Sequence, residues 1–264
     1  MVAVENVTGL TFSPLRPWSD KPIRDCGELL TQIPLSLHRL EPHPYACLGA
    51  PYGVGADPFC LRSGVNDHLL SAQDQLQLQH PELRLAIFDA WRPIPVQAFM
   101  VEHAISEECR RRGLICDLSN RSTALQEVID VVGRFWAPPS LDPLTPPPHS
   151  TGAAVDLTLA DSNGMPLNMG GEIDAIGDIS EPNYYAEAAI VESESEAQLW
   201  HYRRRTLAEA MLKVGFCQHP NEWWHFSFGD QLWAWSNGIA EAFYGAWPEP
   251  ASKSSTACSP SLLT

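Results

Sequence analysis

The chain has 264 residues, enough for one large domain or two small ones with a sizeable hydrophobic core. Hydrophobic residues make up 44% and charged residues 19%, which argues against wholesale disorder. Against 17 Lys and Arg stand 32 Asp and Glu, so the formal charge is −15; such a surface repels phosphate backbones and anionic headgroups, and speaks against nucleic-acid and membrane-surface roles.

Residues 1–44 are rich in proline and turn residues and read as an irregular arm. "GVNDHLLSAQDQLQLQH" (64–80) carries helical spacing at Leu69, Leu70 and Leu76, with Asn66 or Asp67 as the expected cap. "LRLAIFDA" (83–90) reads as a strand bounded by prolines, and 96–114 as a helix with a basic end before Gly113. A shorter helix is expected over 122–136. The proline run of 137–148 excludes helix or central strand, and predicts a stiff connection that delivers His149 to a fixed place. "GAAVDLTLAD" (152–161) follows as a strand, with Val155, Leu157 and Leu159 on one face and Asp156 and Thr158 on the other. The acidic stretch 192–196 reads as a solvated loop or helix start, 197–216 as an amphipathic helix ended by Gly215, and 222–229 as an aromatic-rich strand. The tail, 248–264, reads as disordered. With no internal repeat and no composition break, the expectation is a single α+β domain over 45–247.

The seven cysteines are odd in number and form no CxxC, so reduced thiols are expected. The N-terminus shows no basic segment followed by an apolar one, and no run approaches 18 apolar residues. A soluble cytoplasmic protein is the reading.

Three stretches carry candidate chemistry: "IFDAWRP" (87–93), "HSTGAAVD" (149–156) and "EWWH" (222–225). Taken singly each has a bland account: Arg92 a surface cation, His149 a turn cap, Asp156 an exposed strand residue, Glu222 an edge residue, His225 a satisfied core histidine. Together they supply what a catalytic zinc needs, three ligands of imidazole and carboxylate type (His149, Asp156 and His225) with the fourth position left to water. Glu222 lies beside the third ligand, where a general base can take a proton from that water, and Arg92 could stabilise a developing oxyanion. Positions i and i+3 of a regular strand face opposite sides, so Glu222 and His225 share a site only if the strand begins at about 223 or is bulged there.

HxxxxxxD followed by ExxH, after an upstream DAxRP, resembles the zinc D-alanyl-D-alanine dipeptidases of the VanX type, within the wider group of D-Ala-D-Ala carboxypeptidases, lysostaphin-like enzymes and the hedgehog domain. The resemblance runs from about Tyr45 to Trp235. It implies one domain with a central, mainly antiparallel sheet packed by helices, and one Zn2+ per chain on His149, Asp156 and His225. It further implies Glu222 as catalytic base, Arg92 as the arginine facing the transition state, and Asp174, from "NMGGEIDAI", as the contact for the substrate's free amino group. Tyr45 matches a tyrosine lining the pocket. The sequence departs at Pro147, where family members commonly have serine, which puts one polar substrate contact in doubt. The implied reaction is hydrolysis of D-Ala-D-Ala, a small peptide substrate, with no nucleic-acid or membrane partner. The alternatives are a D,D-carboxypeptidase or L,D-peptidase on peptidoglycan precursors and muropeptides, or a non-catalytic zinc-binding module; the last needs neither Glu222 nor Arg92.

Overall fold

The computed structural model describes residues 16–191 and 195–247. The expected disordered tail, most of the 192–196 loop and the first fifteen residues of the arm lie outside the described residues.

The elements run β1 (Leu30–Gln32), β2 (His38–Arg39), α1 (Pro44–Cys47), β3 (Cys60–Arg62), α2 (Ser63–Gln79), β4 (Arg84–Asp89), α3 (Ile94–Arg112) and α4 (Thr123–Val132). After the proline run come a 3-10 turn (Pro148–Thr151), β5 (Ala154–Ala160), a second 3-10 turn (Asp178–Ser180), α5 (Ala186–Val191), α6 (Glu196–Lys213), β6 (Cys217–Gln218), β7 (His225–Ser227) and α7 (Gln231–Ser236). The fold is α+β. Its main sheet has the order β2-β4-β5-β7-β6 and is antiparallel except for the β2–β4 pair, while β1 and β3 form a small antiparallel ribbon. Among the described residues no helix is long and apolar enough to cross a membrane.

The central strand β5 is buried along its whole length, as a strand with covered faces must be. Val155, Leu157 and Leu159 point with Leu85 and Ile87 of β4 into a core roofed by α2 and α6, to which each large aliphatic contributes about 1.5–3 kcal/mol. A second cluster joins α3 and α4 to Tyr45, Phe135 and Trp136, with Phe88 of β4 packed against it. Local chemistry ends the helices where expected: α3 carries Arg110, Arg111 and Arg112 in its last turn and stops at Gly113, left-handed at φ 67°.

Four expectations are corrected. The arm is not irregular throughout, because β1 and β2 lie in it; strands of two or three residues are too short to show a period. Helix α2 is not capped by Asn66 or Asp67: it begins at Ser63, and the Asn66 amide is spent instead on Thr31, donating to its carbonyl at 3.2 Å and its hydroxyl at 2.9 Å. Helix α4 ends at Val132 rather than 136, since Gly133 halts it and Phe135 and Trp136 turn back into the core. The strand expected over 222–229 is confined to His225–Ser227, with turns before and after.

Candidate active site

The sheet register builds the site. Asp89 of β4 pairs with Asp156 of β5, and Asp156 pairs with His225 of β7, so three polar residues stand in one row across three adjacent strands. A β-bulge makes this possible. Arg84 to Ile87 run in step against Ala160 to Leu157, which would set Phe88 opposite Asp156; the register shifts between Ile87 and Asp89, and Asp89 takes that place. Without the extra residue Asp89 would turn to the opposite face. His149 arrives from the 3-10 turn, which is strapped to the segment after β4. The Arg92 amide donates to the His149 carbonyl at 3.2 Å, and the Ser150 hydroxyl donates to the Arg92 carbonyl at 2.7 Å. Gly152, left-handed at φ 71°, redirects the chain from that turn into β5; an added Cβ there would lie 2.4 Å from Leu30 Cδ1.

The three expected ligands converge. His149 Nε2 is 3.2 Å from both His225 Nδ1 and Asp156 Oδ2, and His225 Nδ1 is 3.0 Å from Asp156 Oδ1. The far nitrogens show which nitrogen each ring turns to the site. His149 Nδ1 lies 2.7 Å from the Ala90 carbonyl, which can only accept, so Nδ1 carries the hydrogen and Nε2 presents a lone pair. His225 Nε2 has Ser227 Oγ at 3.3 Å, leaving Nδ1 to face the site. Two imidazole lone pairs and a carboxylate aimed at one point repel one another unless a cation sits between them. A tetrahedral ion with bonds of about 2.0–2.1 Å needs ligand atoms roughly 3.3 Å apart, close to the spacing present. All three residues are buried, and they form the one such group of three or more metal-binding side chains among the described residues. Burial by itself raises the Asp156 carboxyl; where protons rather than a metal ion sit on the site-facing nitrogens, the charge of His149 and the hydrogen bonds from His149 and His225 outweigh it and hold the group well below the usual carboxylate range.

Around this centre the other expected residues gather. Glu222 precedes β7 in a turn, so the strand face-alternation that separates i from i+3 does not apply to it. Its Oε2 lies 3.7 Å from His225 Nδ1, and its buried Oε1 has no hydrogen-bond partner. Burial, then the charge of Asp156, push its carboxyl up to about 8. Arg92 is buried, donating to Asp89 at 2.7 and 3.1 Å and to Gln97 Oε1 at 2.9 Å, with its guanidinium about 5 Å from both the Tyr45 and Trp136 ring centroids. Asp174 reaches the same pocket from the loop after β5, left-handed at φ 66° and held by the Tyr45 hydroxyl at 2.8 Å. Burial, and secondarily Asp156, push its carboxyl up to about 7.

Several residues of the site were not singled out from sequence. Asp89 is fully buried and binds Arg92, His43 Nε2 at 3.1 Å and the Tyr52 hydroxyl at 3.2 Å. It lies inside "IFDAWRP", but its direction depends on the bulge, which leaves no mark in hydrophobic periodicity. His219 is buried with its ring 5.4 Å from that of His225 and Nδ1 3.5 Å from Glu222 Oε1. Gln97 fixes Arg92 and donates to the Ala137 carbonyl at 2.6 Å; its place on the inner face of α3 was the only available signal. Arg16, from the arm, also lines the pocket.

A family model described as D-Ala-D-Ala dipeptidase matches residues 38–243. A curated D-alanyl-D-alanine dipeptidase from Synechocystis sp. is 46% identical over 226 residues, covering 84% of this chain and 91% of the relative. Among solved structures, a mutant of the vancomycin-resistance D,D-pentapeptidase VanY in complex with Zn(II) aligns at 13% identity and a TM-score of 0.41, covering 84% of this chain and 96% of that one. The LD-carboxypeptidase LdcB aligns at 14% and 0.39, covering 90% of each chain. With the family model spanning most of the chain and a relative of this identity matched nearly end to end, the protein belongs to the D-Ala-D-Ala dipeptidase family of metallopeptidases.

Proposed function

We propose that this protein hydrolyses the dipeptide D-Ala-D-Ala to two D-alanines, with one zinc ion per chain held by His149, Asp156 and His225. The observation that carries the reading is the convergence of those three ligand atoms beside a buried Glu222 carboxylate oxygen that makes no hydrogen bond. A zinc ion there would acidify water and polarise the scissile carbonyl. Glu222, held high by burial, is suited to accept the proton of the attacking water and return it to the leaving amine. Arg92 gives one Nη1 hydrogen to Gln97 and keeps the other for the oxygen on which charge develops; Asp89 and the flanking Tyr45 and Trp136 rings hold it in place. Asp174, fixed by Tyr45, is placed to take the substrate ammonium and so favours short peptides with a free amino end. Pro147 supplies no hydroxyl where the family resemblance implies a serine, so the other end of the substrate needs a different partner. A cytoplasmic setting is part of this proposal, in keeping with the free thiols Cys26, Cys47, Cys60, Cys109, Cys116 and Cys217.

The test is incubation of the purified protein with D-Ala-D-Ala, and separately with a pentapeptide ending in it, before and after chelation. Free D-alanine from the dipeptide alone, abolished by the chelator, supports the reading. Release from the pentapeptide moves the assignment to a carboxypeptidase, and release from neither overturns it.

A further inference from the structure

The pocket over the three ligand atoms encloses about 410 Å³ of empty space, its mouth included, and two cations line it, Arg16 and Arg92. Arg92 is committed to Asp89, Gln97, Tyr45 and Asp156. Arg16 is not. Its Nη2 donates to the Phe135 carbonyl at 3.1 Å and its guanidinium lies 5.7 Å from the Trp18 ring centroid, but among the described residues no carboxylate forms an ion pair with it. An arginine cannot shed its proton to escape burial, so an unpaired guanidinium in a pocket is a receptor for an anion.

The anion is identified by where Arg16 stands. Arg16 stands against Trp18, whose ring is 5.4 Å from that of His219, and His219 Nδ1 is 3.5 Å from Glu222 Oε1, whereas Asp174 is held by the Tyr45 hydroxyl. On the proposed reading, Glu222 delivers its proton to the leaving nitrogen, which belongs to the C-terminal residue of the substrate. The carboxyl carbon of that residue is only about 2.5 Å from the nitrogen, across one Cα. A dipeptide bound with its ammonium at Asp174 therefore carries its carboxylate to the Glu222 side, where Arg16 is, among the described residues, the lining cation that no carboxylate ion-pairs with. Phe135, Ala137 and Pro148 line the pocket with apolar surface and offer that carboxylate no competing charge.

We propose that Arg16 binds the free α-carboxylate of the substrate and, opposite Asp174, makes the pocket a gauge for a zwitterion two residues long. The inference rests on the dipeptidase reading above. It makes Arg16 a specificity residue, supplied by the arm before the family match begins at residue 38.

The experiment compares D-Ala-D-Ala with D-alanyl-D-alaninamide, which lacks the terminal charge, on the zinc-loaded wild type and on Arg16→Met, Arg16→Gln and Arg16→Lys. A charge-assisted hydrogen bond is worth about 1.5–3 kcal/mol, or roughly 10- to 150-fold. The wild type is expected to prefer the acid over the amide by that factor, mainly through KM. Arg16→Met and Arg16→Gln should bring the preference for the acid over the amide near unity, and Arg16→Lys should restore part of it. Calorimetric titration of D-Ala-D-Ala into Glu222→Gln, with and without Arg16→Met, reads the same loss as affinity without turnover. Melting curves show which variants fold, and any one folded neutral variant decides the question. If the wild type cleaves the dipeptide and a folded neutral variant keeps the full preference for the acid, the role of Arg16 is overturned alone; if the wild type cleaves neither compound, the dipeptidase reading falls and this inference with it.

Discussion

At the scale of single residues, the site is a set of charges that burial makes costly and neighbours make tolerable. Glu222 and Asp174 are held above the usual carboxylate range, whereas Asp156 is held below it by its two histidines. Replacing Glu222 by Gln keeps shape and removes the base; kcat/KM for the dipeptide should fall roughly 10²- to 10⁴-fold while zinc content, measured by atomic absorption, stays unchanged. Asp174 permits a stability test in the metal-free protein. Its carboxyl is at about 7 in the fold against an ordinary value of 3.8, so folding favours the protonated form. That favourable contribution is complete below the ordinary value and is lost as pH rises through about 7. Asp174→Asn, which carries no charge at any pH, should therefore gain on the wild type as pH rises from about 5 to 7 and level off above, with an upper limit of about 4 kcal/mol for the whole shift. Denaturant melts of chelated protein at pH 5 and pH 8 check this; an advantage that does not grow with pH would remove Asp174 from the buried carboxyls.

At the scale of elements, two irregularities place the chemistry: the bulge that turns Asp89 toward Asp156, and the left-handed Gly152 between the turn bearing His149 and the strand bearing Asp156. Gly152→Ala meets both a backbone penalty of about 1–2 kcal/mol and the Leu30 side chain. Guanidinium denaturation should show at least that loss. Adding Leu30→Ala should relieve the clash and leave the backbone part. These irregularities also explain how much was legible beforehand. His149, Asp156 and His225 could be read because their residue types and order match a ligand set, and "GAAVDLTLAD" could be read as a strand from its alternation, although both of its faces are covered. Asp89, His219 and Arg16 could not, since each acquires its role from a bulge, a turn or a contact with a segment more than a hundred residues away, as where Arg16 meets Phe135. The two-residue strands β2 and β6 were hidden for a simpler reason: two residues define no alternation.

At the scale of the whole molecule, segments near both ends of the described chain are tied to the turn that carries His149. Buried Arg62 donates to the Thr151 carbonyl at 2.8 Å, to Asp25 at 2.7 Å and to the Gly245 carbonyl at 2.9 Å, tying the arm and the end of the described chain to that turn. Zinc should stabilise this assembly as a unit. At free zinc a hundredfold above Kd the gain is about 2.7 kcal/mol, which for a chain of this size raises Tm by roughly 5–10 °C. Thermal melts with zinc and with chelator test it, and equal melting temperatures would speak against metal binding by the folded state.

The row of Asp89, Asp156 and His225 across β4, β5 and β7 has a consequence for how the site can fail. Its backbone amides belong to the interior of the main sheet, where hydrogen exchange proceeds only when the entire cooperative unit opens. Of the proposed ligands, Asp156 and His225 stand in that row, and His149 stands outside it, on the turn before β5. While the sheet stays closed, an ion held there would leave through the open pocket, past Glu222 and Arg16, so the passage that admits substrate would also set how long the ion stays.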